Sequence, residues 1–262
     1  MAQINKPTDY FNTKLYTGTG ASNSVDVGFQ TDFTWIKDRD STAYHYLYDT
    51  VRGAGKAMYS NDTLSEATNI NNLASFDASG FTVGTGGGVN ASGNDFASWN
   101  WLAGGTASSN TDGSITSSVS ANTTSGFSIV SYTGTGANAT VGHGLGVAPK
   151  FIIYKQRNTA RNWYVFTDVI DGSYDNLYLN LTDAKTDRSI TLPTSSVFSL
   201  SSSNEHNESS GTYIAYCFAE KKGYSKFGSY TGNGSTDGPF VYTGFKPAMV
   251  ITKNVSSVQG WY

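Results

Sequence analysis

The chain holds a single cysteine, five prolines and three histidines in 262 residues, and each shortage closes off a class of chemistry. One cysteine, Cys217, excludes an intrachain disulfide and every zinc motif built from several thiolates. It stands inside Tyr213-Ile-Ala-Tyr-Cys-Phe218, so it reads as a small buried hydrophobe rather than a reactive thiol. His45, His143 and His206 are far apart and share no ligand spacing, so no metal and no cofactor is expected. Charge is also scarce: 14% of residues are Asp, Glu, Lys or Arg, with a formal net charge of −3. Nucleic acid is excluded as a partner, because phosphate binding needs clustered Lys and Arg. The longest basic run is Lys221-Lys222, which reads as a solvated turn. No run approaches the ~18 apolar residues of a membrane-spanning helix. The opening Met1-Ala-Gln-Ile-Asn-Lys-Pro-Thr-Asp9 carries no apolar signal-peptide core, so no membrane partner is expected.

What is present is a β composition. Seventeen Tyr, fourteen Phe and 29 Gly, with abundant Thr, Ser and Val, suit short pleated strands joined by tight turns. No stretch carries the apolar stripe of a long amphipathic helix.

The strongest pattern is internal. Tyr-Thr-Gly-(Thr/Asn)-Gly occurs at Tyr16–Gly20, Tyr132–Gly136 and Tyr230–Gly234. Each is followed by a Gly-to-Lys block of constant spacing: Gly28 to Lys37, Gly146 to Lys155 and Gly244 to Lys253. Eight residues after each lysine come His45-Tyr46, Trp163-Tyr164 and Trp261-Tyr262. Asp95-Phe-Ala-Ser-Trp-Asn-Trp101 then parallels Thr212-Tyr-Ile-Ala-Tyr-Cys-Phe218. The spacing of the copies is too long for a solenoid turn and suits a compact β domain. The expected architecture is all-β: tandem sandwiches of the jelly-roll or concanavalin-like kind. Residues 1–103 form the first copy, 104–113 an exposed Gly/Ser-rich linker, 114–223 the second copy and 224–262 the start of a truncated third. Ser114–Ser125 reads as an edge strand. Tyr213–Phe218 looks apolar on both faces, as in a strand buried by its own sheet partner and by a neighbour. Residues 218–227 leave almost no linker, so the second and third copies should touch. A third copy stopping at Tyr262 implies either a piece of a longer protein or packing of 224–262 onto the second copy.

The Asn5–Thr13 opening, Phe127-Ser-Ile-Val-Ser-Tyr-Thr-Gly134 and Gly142-His-Gly-Leu-Gly-Val-Ala-Pro149 together resemble a repeat family of marine bacteriophages. So does Tyr213–Glu220 running into Phe227–Gly238. Members come from phages of ocean bacteria and cyanobacteria and are called tail-fibre or virion structural proteins. The resemblance covers nearly the whole chain. It implies a lectin-like sandwich located on a virion, with no catalytic residues to carry over. This sequence departs from the pattern at His45, where the other two copies have Trp, and at Thr31-Asp32, where they have Pro149 and Pro247.

The glycine clusters lack the following helix and Lys-Ser/Thr of a phosphate loop, so they read as turns. Asp38/Asp40, Asp168/Asp171 and Glu205/Glu208 are candidate loop acids, but none recurs as a pair in both copies, and glycoside hydrolysis needs two carboxylates about 5–10 Å apart. The loop after the repeated lysine is the better candidate. Asp38–Tyr46 and Gln156–Tyr164 combine Arg, Asn or Asp and aromatic rings, the groups that stack on and hydrogen-bond a sugar. Candidate ligand-binding residues are Arg39, His45, Tyr46, Arg157, Arg161, Trp163 and Tyr164. The competing reading places Trp163 in the core and turns Arg39 and Arg157 toward a neighbouring copy or chain. The expected function is therefore a non-enzymatic, tail-fibre-like virion protein. Its partners would be host-surface glycans, other virion proteins or copies of itself. A secreted carbohydrate-binding module and a polysaccharide-degrading enzyme are the alternatives.

Overall fold

The computed structural model describes residues 3–262. Its β-branched and aromatic runs become strands, and its Gly, Asn and Ser clusters become the turns between them. The first half contains β1 (Phe11–Thr17), β2 (Asn23–Asp26), β3 (Phe33–Asp38), β4 (His45–Asp49), β5 (Lys56–Tyr59), β6 (Ala67–Thr68), β7 (Leu73–Asp77), β8 (Gly80–Val83) and β9 (Asp95–Trp101). The second contains β10 (Ser108–Asn110), β11 (Ser117–Asn122), β12 (Phe127–Thr133), β13 (Ala139–Gly142), β14 (Phe151–Gln156), β15 (Tyr164–Thr167), β16 (Tyr174–Tyr178), β17 (Thr186–Arg188), β18 (Val197–Leu200) and β19 (Thr212–Phe218). Among the described residues helix is limited to one 3-10 turn, Pro7–Asp9, and one α-turn, Gly87–Asn90. No helix among the described residues is long and apolar enough to cross a membrane.

The large sheet of the first half has the order β1-β9-β3-β4-β5-β6, and that of the second ends in β12-β19-β14-β15-β16-β17. The two orders match strand for strand. β10 and β11 extend the second sheet beyond β12. Each large sheet is covered on one side by a smaller one, β2-β8-β7 in the first half and β13-β18 in the second.

Four layers enclose three cores. Ile36, Tyr48, Phe81 and Phe96 fill the first sandwich, and Val141, Tyr154, Phe166 and Phe198 fill the second. The third core lies between the two large sheets, where Phe33, Trp35, Leu47 and Met58 meet Phe127, Ile153, Val165 and Tyr216. The Phe33 and Tyr216 ring centroids are 4.3 Å apart. Both faces of the central strands are therefore dry, which is why Tyr213–Phe218 shows no apolar–polar alternation.

The Tyr-Thr-Gly-x-Gly phrase has a structural purpose in both halves. Each copy wraps a buried asparagine. The amides of Thr19 and Gly20 donate to the side chain and carbonyl of Asn90 (both 2.9 Å), and those of Thr135 and Gly136 do the same to Asn207 (both 2.8 Å). The Tyr16 and Tyr132 hydroxyls donate to the carbonyls of Val89 and His206, each at 2.7 Å. A Cβ on Gly18 would lie 2.1 Å from Ala91 O, and one on Gly134 2.3 Å from Glu208 O, so only glycine permits the approach.

Several expectations are corrected. Residues 104–113 are not a free linker: Ser108–Asn110 forms β10, the amide of Gly104 donates to Ser120 Oγ (2.9 Å), and that hydroxyl donates to Gly105 O (2.7 Å). Small residues are needed there because the backbones approach closely, not because the chain is loose. Residues 114–125 do not form the sheet edge, since β11 sits between β10 and β12. Lys221 is not solvated; it is 7% exposed and donates to Thr123 O at 2.6 Å. Residues 224–262 contain no named strand, and Phe240, Tyr242 and Tyr230 are exposed, yet the end of the segment packs against the second half. Among the described residues the third Tyr-Thr-Gly phrase has no buried asparagine to wrap.

Candidate interaction site

Nine positions separate Lys155 from Tyr164, and the loop between them projects from β14 onto the first half. Trp163, fully buried, donates Nε1–H to Tyr59 O at 2.7 Å. The amide of Arg161 donates to Thr63 O at 3.0 Å, and the amide of Glu66 donates to Arg157 O at 2.8 Å. Lys155 Nζ reaches Thr63 O at 3.3 Å and the carbonyl of Gln156 at 2.8 Å. Burial pushes the Lys155 ammonium down to about 8, because carbonyl dipoles replace water incompletely.

Charge locks the same junction. Arg157 grips Glu66 with two bonds, at 2.9 and 3.1 Å. Burial would raise the Glu66 carboxyl, but Arg157 and Arg52 outweigh it and hold the group below the usual range. Arg52, whose side chain is sealed from solvent, pairs with Asp49 at 2.5 Å and donates to the carbonyls of Leu47 (3.0 Å) and Lys56 (2.6 Å). Burial opposes its charge, yet the attraction of Asp49 prevails. From the opposite sheet the Tyr216 hydroxyl donates to Asp49 Oδ2 at 2.6 Å. Asp49, Arg52, Glu66 and Tyr216 were not among the sequence candidates. The only local signal was a tyrosine in an otherwise dry strand, whose hydroxyl must find a partner.

The sequence-derived residues fall in two places. Arg157, Arg161 and Trp163 come together at the junction, whereas Tyr164 points to the other face of its strand, into the core of the second sandwich. Trp163 is in the core, as the core reading of that residue had it, so its ring face cannot stack on a sugar and it drops out of the ligand-contact set. Tyr164 is 7% exposed and packs on Tyr178 at 5.1 Å. Arg161 is half-exposed and pairs with Glu208 at 3.3 Å. Arg39, His45 and Tyr46 occupy the matching positions of the first half. Arg39 is exposed, and its side chain makes no hydrogen bond among the described residues. His45 accepts from Trp35 Nε1 at 3.0 Å, and burial lowers its imidazole to about 4. Tyr46 packs beside Tyr59 (5.1 Å) and Tyr44 (6.4 Å), forming an aromatic group of which Tyr44 is 38% exposed.

Residues 244–262 reproduce the junction on the second half. Trp261 Nε1 donates to Tyr178 O (2.8 Å), the amide of Gln259 to Thr182 O (2.9 Å) and Lys253 Nζ to Thr182 O (3.2 Å). The amide of Lys185 donates to Val255 O at 3.0 Å. Relative to the first junction, every residue of the docking loop lies 98 positions further on (Trp163 to Trp261) and every residue of the receiving edge 119 (Tyr59 to Tyr178).

The remaining candidates are already engaged. Asp171, Asp175 and Asp187 bring carboxylate oxygens within 4.8 Å of one another, but the Lys185 ammonium pairs with all three. Asp168 pairs with Lys150 at 2.6 Å, Glu205 with Arg188 at 3.3 Å, and Asp38 accepts from Ser41 (2.8 Å) and Asn94 (2.9 Å). Asp40 accepts the amide of Asp95 at 2.6 Å. His143 is buried between Thr194 O and the amide of Leu145, both at 3.2 Å. Cys217 is fully buried, which pushes its thiol far up.

Fold and junction together define an all-β sandwich protein whose two halves are bonded along one interface. The chain belongs to the domain of unknown function family DUF7483, whose model matches residues 6–262. Comparisons with curated proteins and with solved structures return no match.

Proposed function

We propose that this chain is a non-enzymatic structural protein of a virion, tail-fibre-like, in which copies of one sandwich unit dock on one another as a stiff spacer. The observation that carries the reading is the junction. Its aromatic core, its buried Asp49–Arg52–Tyr216 cluster and its Arg157–Glu66 fork leave the halves little freedom to pivot. An enzyme built on a hinged cleft would need the opposite. The phage assignment is supported by the sequence resemblance alone. Its partners are then other virion proteins or further copies of the chain. Mass spectrometry of purified virions tests it: the chain should be recovered in constant ratio to the capsid protein, and its absence from particles would refute the reading.

Contact with host-surface glycans, on the virion or as a secreted binding module, is favoured by one feature. Tyr44, Tyr46 and Tyr59 group their rings beside the exposed loop that carries Arg39. Aromatic faces of this kind stack on pyranose rings. Glycan-array binding that survives Tyr44→Ala unchanged would remove this role. A polysaccharide-degrading activity is disfavoured because the loop acids Asp38, Asp40, Asp168, Asp171, Glu205 and Glu208 are each held by a cation, an amide or a side-chain donor.

A further inference from the structure

A cleft of about 530 Å³ separates the first half from residues 248–262. On one wall are Trp35, His45 and Trp99 of the first half; on the other are Met249, Ile251 and Trp261. The C-terminal segment, docked on the second half, thus already lies beside the first. Three docking loops are present, but only two are docked. The loop led by Trp163 sits on the first half, and the loop led by Trp261 sits on the second. The loop led by His45 sits on nothing.

We propose that this cleft is the seat of a complete third copy of the sandwich unit, of which Gly244–Tyr262 is one docked piece, so that three large sheets close in a ring around the shared core. The proposal rests on reading residues 244–262 as part of a third copy, but not on the virion assignment.

The undocked loop carries the donors such a partner would need. Trp163 and Trp261 each give an indole N–H to a carbonyl of the preceding unit. His45 occupies their position, and its Nδ1 is taken by Trp35, so the proton resides on Nε2, which has no partner among the described residues. Nε2–H would serve the third copy's equivalent of Tyr59 O and Tyr178 O. Lys37 repeats the pattern. Lys155 bonds the carbonyls of Gln156 and Thr159 and a threonine of the unit beneath it. Lys37 bonds the equivalent carbonyls of Asp38 (2.6 Å) and Ser41 (2.7 Å) and no threonine. Nor is the partner an open stack's next unit: in an open stack the first and third units would not share a cleft. The walls are aromatic and aliphatic, matching the faces that fill the existing interface, and Val255 and Trp261 already pack on that core.

The test completes the third copy. Trp163-Tyr164 corresponds to Trp261-Tyr262, so residues 165–223 are appended after Tyr262, and carbethoxylation of histidines by diethyl pyrocarbonate is followed by mass spectrometry. His143 and His206 are buried, so His45 is the histidine the reagent can reach in the parent chain: its Nε2 attacks once the proton shifts to Nδ1 and the Trp35 bond opens, a route that a third copy bonded to Nε2 would block. The expected result is a fall of about tenfold or more in the His45 modification rate in the extended chain, with slow amide exchange in the appended strands. A His45 rate unchanged while the appended strands are protected overturns the proposal. Appended strands that exchange freely also overturn it, since the cleft is their supposed template. Concentration-dependent protection of His45 in the parent chain, with a dimer mass, assigns the cleft to a second chain and refutes the ring. Extended chains carrying His45→Trp should be the more heat-stable, because an indole restores the bond that the other two junctions make.

Discussion

Replacing Tyr216 by Phe tests the junction at its most buried point. The ring stays, so its packing on Phe33 at 4.3 Å is kept, and the change removes one hydroxyl. That hydroxyl donates to Asp49 Oδ2 at 2.6 Å and accepts from Arg52 at 3.3 Å. A hydrogen bond to a charged group contributes about 1.5–3 kcal/mol. The carboxylate remains paired with Arg52, so no naked charge is created and the lower part of that range applies: about 2 kcal/mol. Arg52→Met is different, because it strands Asp49 in a sealed site; breaking a buried pair in this way costs about 3–5 kcal/mol. Once Arg52 is gone, the Tyr216 hydroxyl is the side-chain partner Asp49 has left, so the double variant should cost more than the sum of the two. Urea unfolding of the four proteins, followed by tyrosine and tryptophan fluorescence, measures all these terms. Asp49 and Arg52 belong to the first half and Tyr216 to the second, so the coupling energy is also a measure of what joins them. A Tyr216→Phe variant as stable as the parent, or perfect additivity in the double variant, would refute the reasoning.

Three further outcomes are expected. Lys155 has its folded-state pKa lowered to about 8, below its unfolded value, so folding excludes a proton between these two values and stability rises with pH from about 8 to 10.5. The gain should approach ~3 kcal/mol and be missing from the difference curve in Lys155→Met, as read by urea midpoints across that window. Asn207→Ala should destabilise the second half by about 2 kcal/mol in thermal or urea unfolding, because it leaves the Thr135 amide without its acceptor and removes the side-chain bonds to the Ala137 and Ser201 carbonyls. The Cys217 thiol should react with a disulfide reagent only after denaturant is added; stoichiometric labelling of the native chain at neutral pH would contradict its burial.

Periodic features were legible in the sequence because each encodes a local requirement. The Tyr-Thr-Gly-x-Gly phrase marks a turn that only glycine can make, and the nine-residue Gly-to-Lys interval marks one strand and its approach. The unbroken apolarity of Tyr213–Phe218 announced a strand dry on both faces. Pairings across the junction were not legible. Glu66 and Arg157 lie 91 positions apart, and nothing near either one specifies the other. Trp163 could be read as core or as a sugar platform because an aromatic ring next to arginines is the same string of letters whether the ring faces solvent or a second sheet. The Gly/Ser stretch at 104–113 misled for a related reason: small residues are used both where a chain is free and where two backbones must nearly touch.

The Tyr16 hydroxyl meets a carbonyl 73 residues away and that of Tyr132 one 74 residues away, while the first strand of each large sheet's matched set pairs with the last, β1 with β9 and β12 with β19. During synthesis, then, neither half can close until its final strand has left the ribosome, and each early strand waits with an open edge. Such high contact order slows folding into the millisecond-to-second range or beyond. The second half, once made, would find its partner sheet already assembled, so the order of synthesis is also the order of assembly.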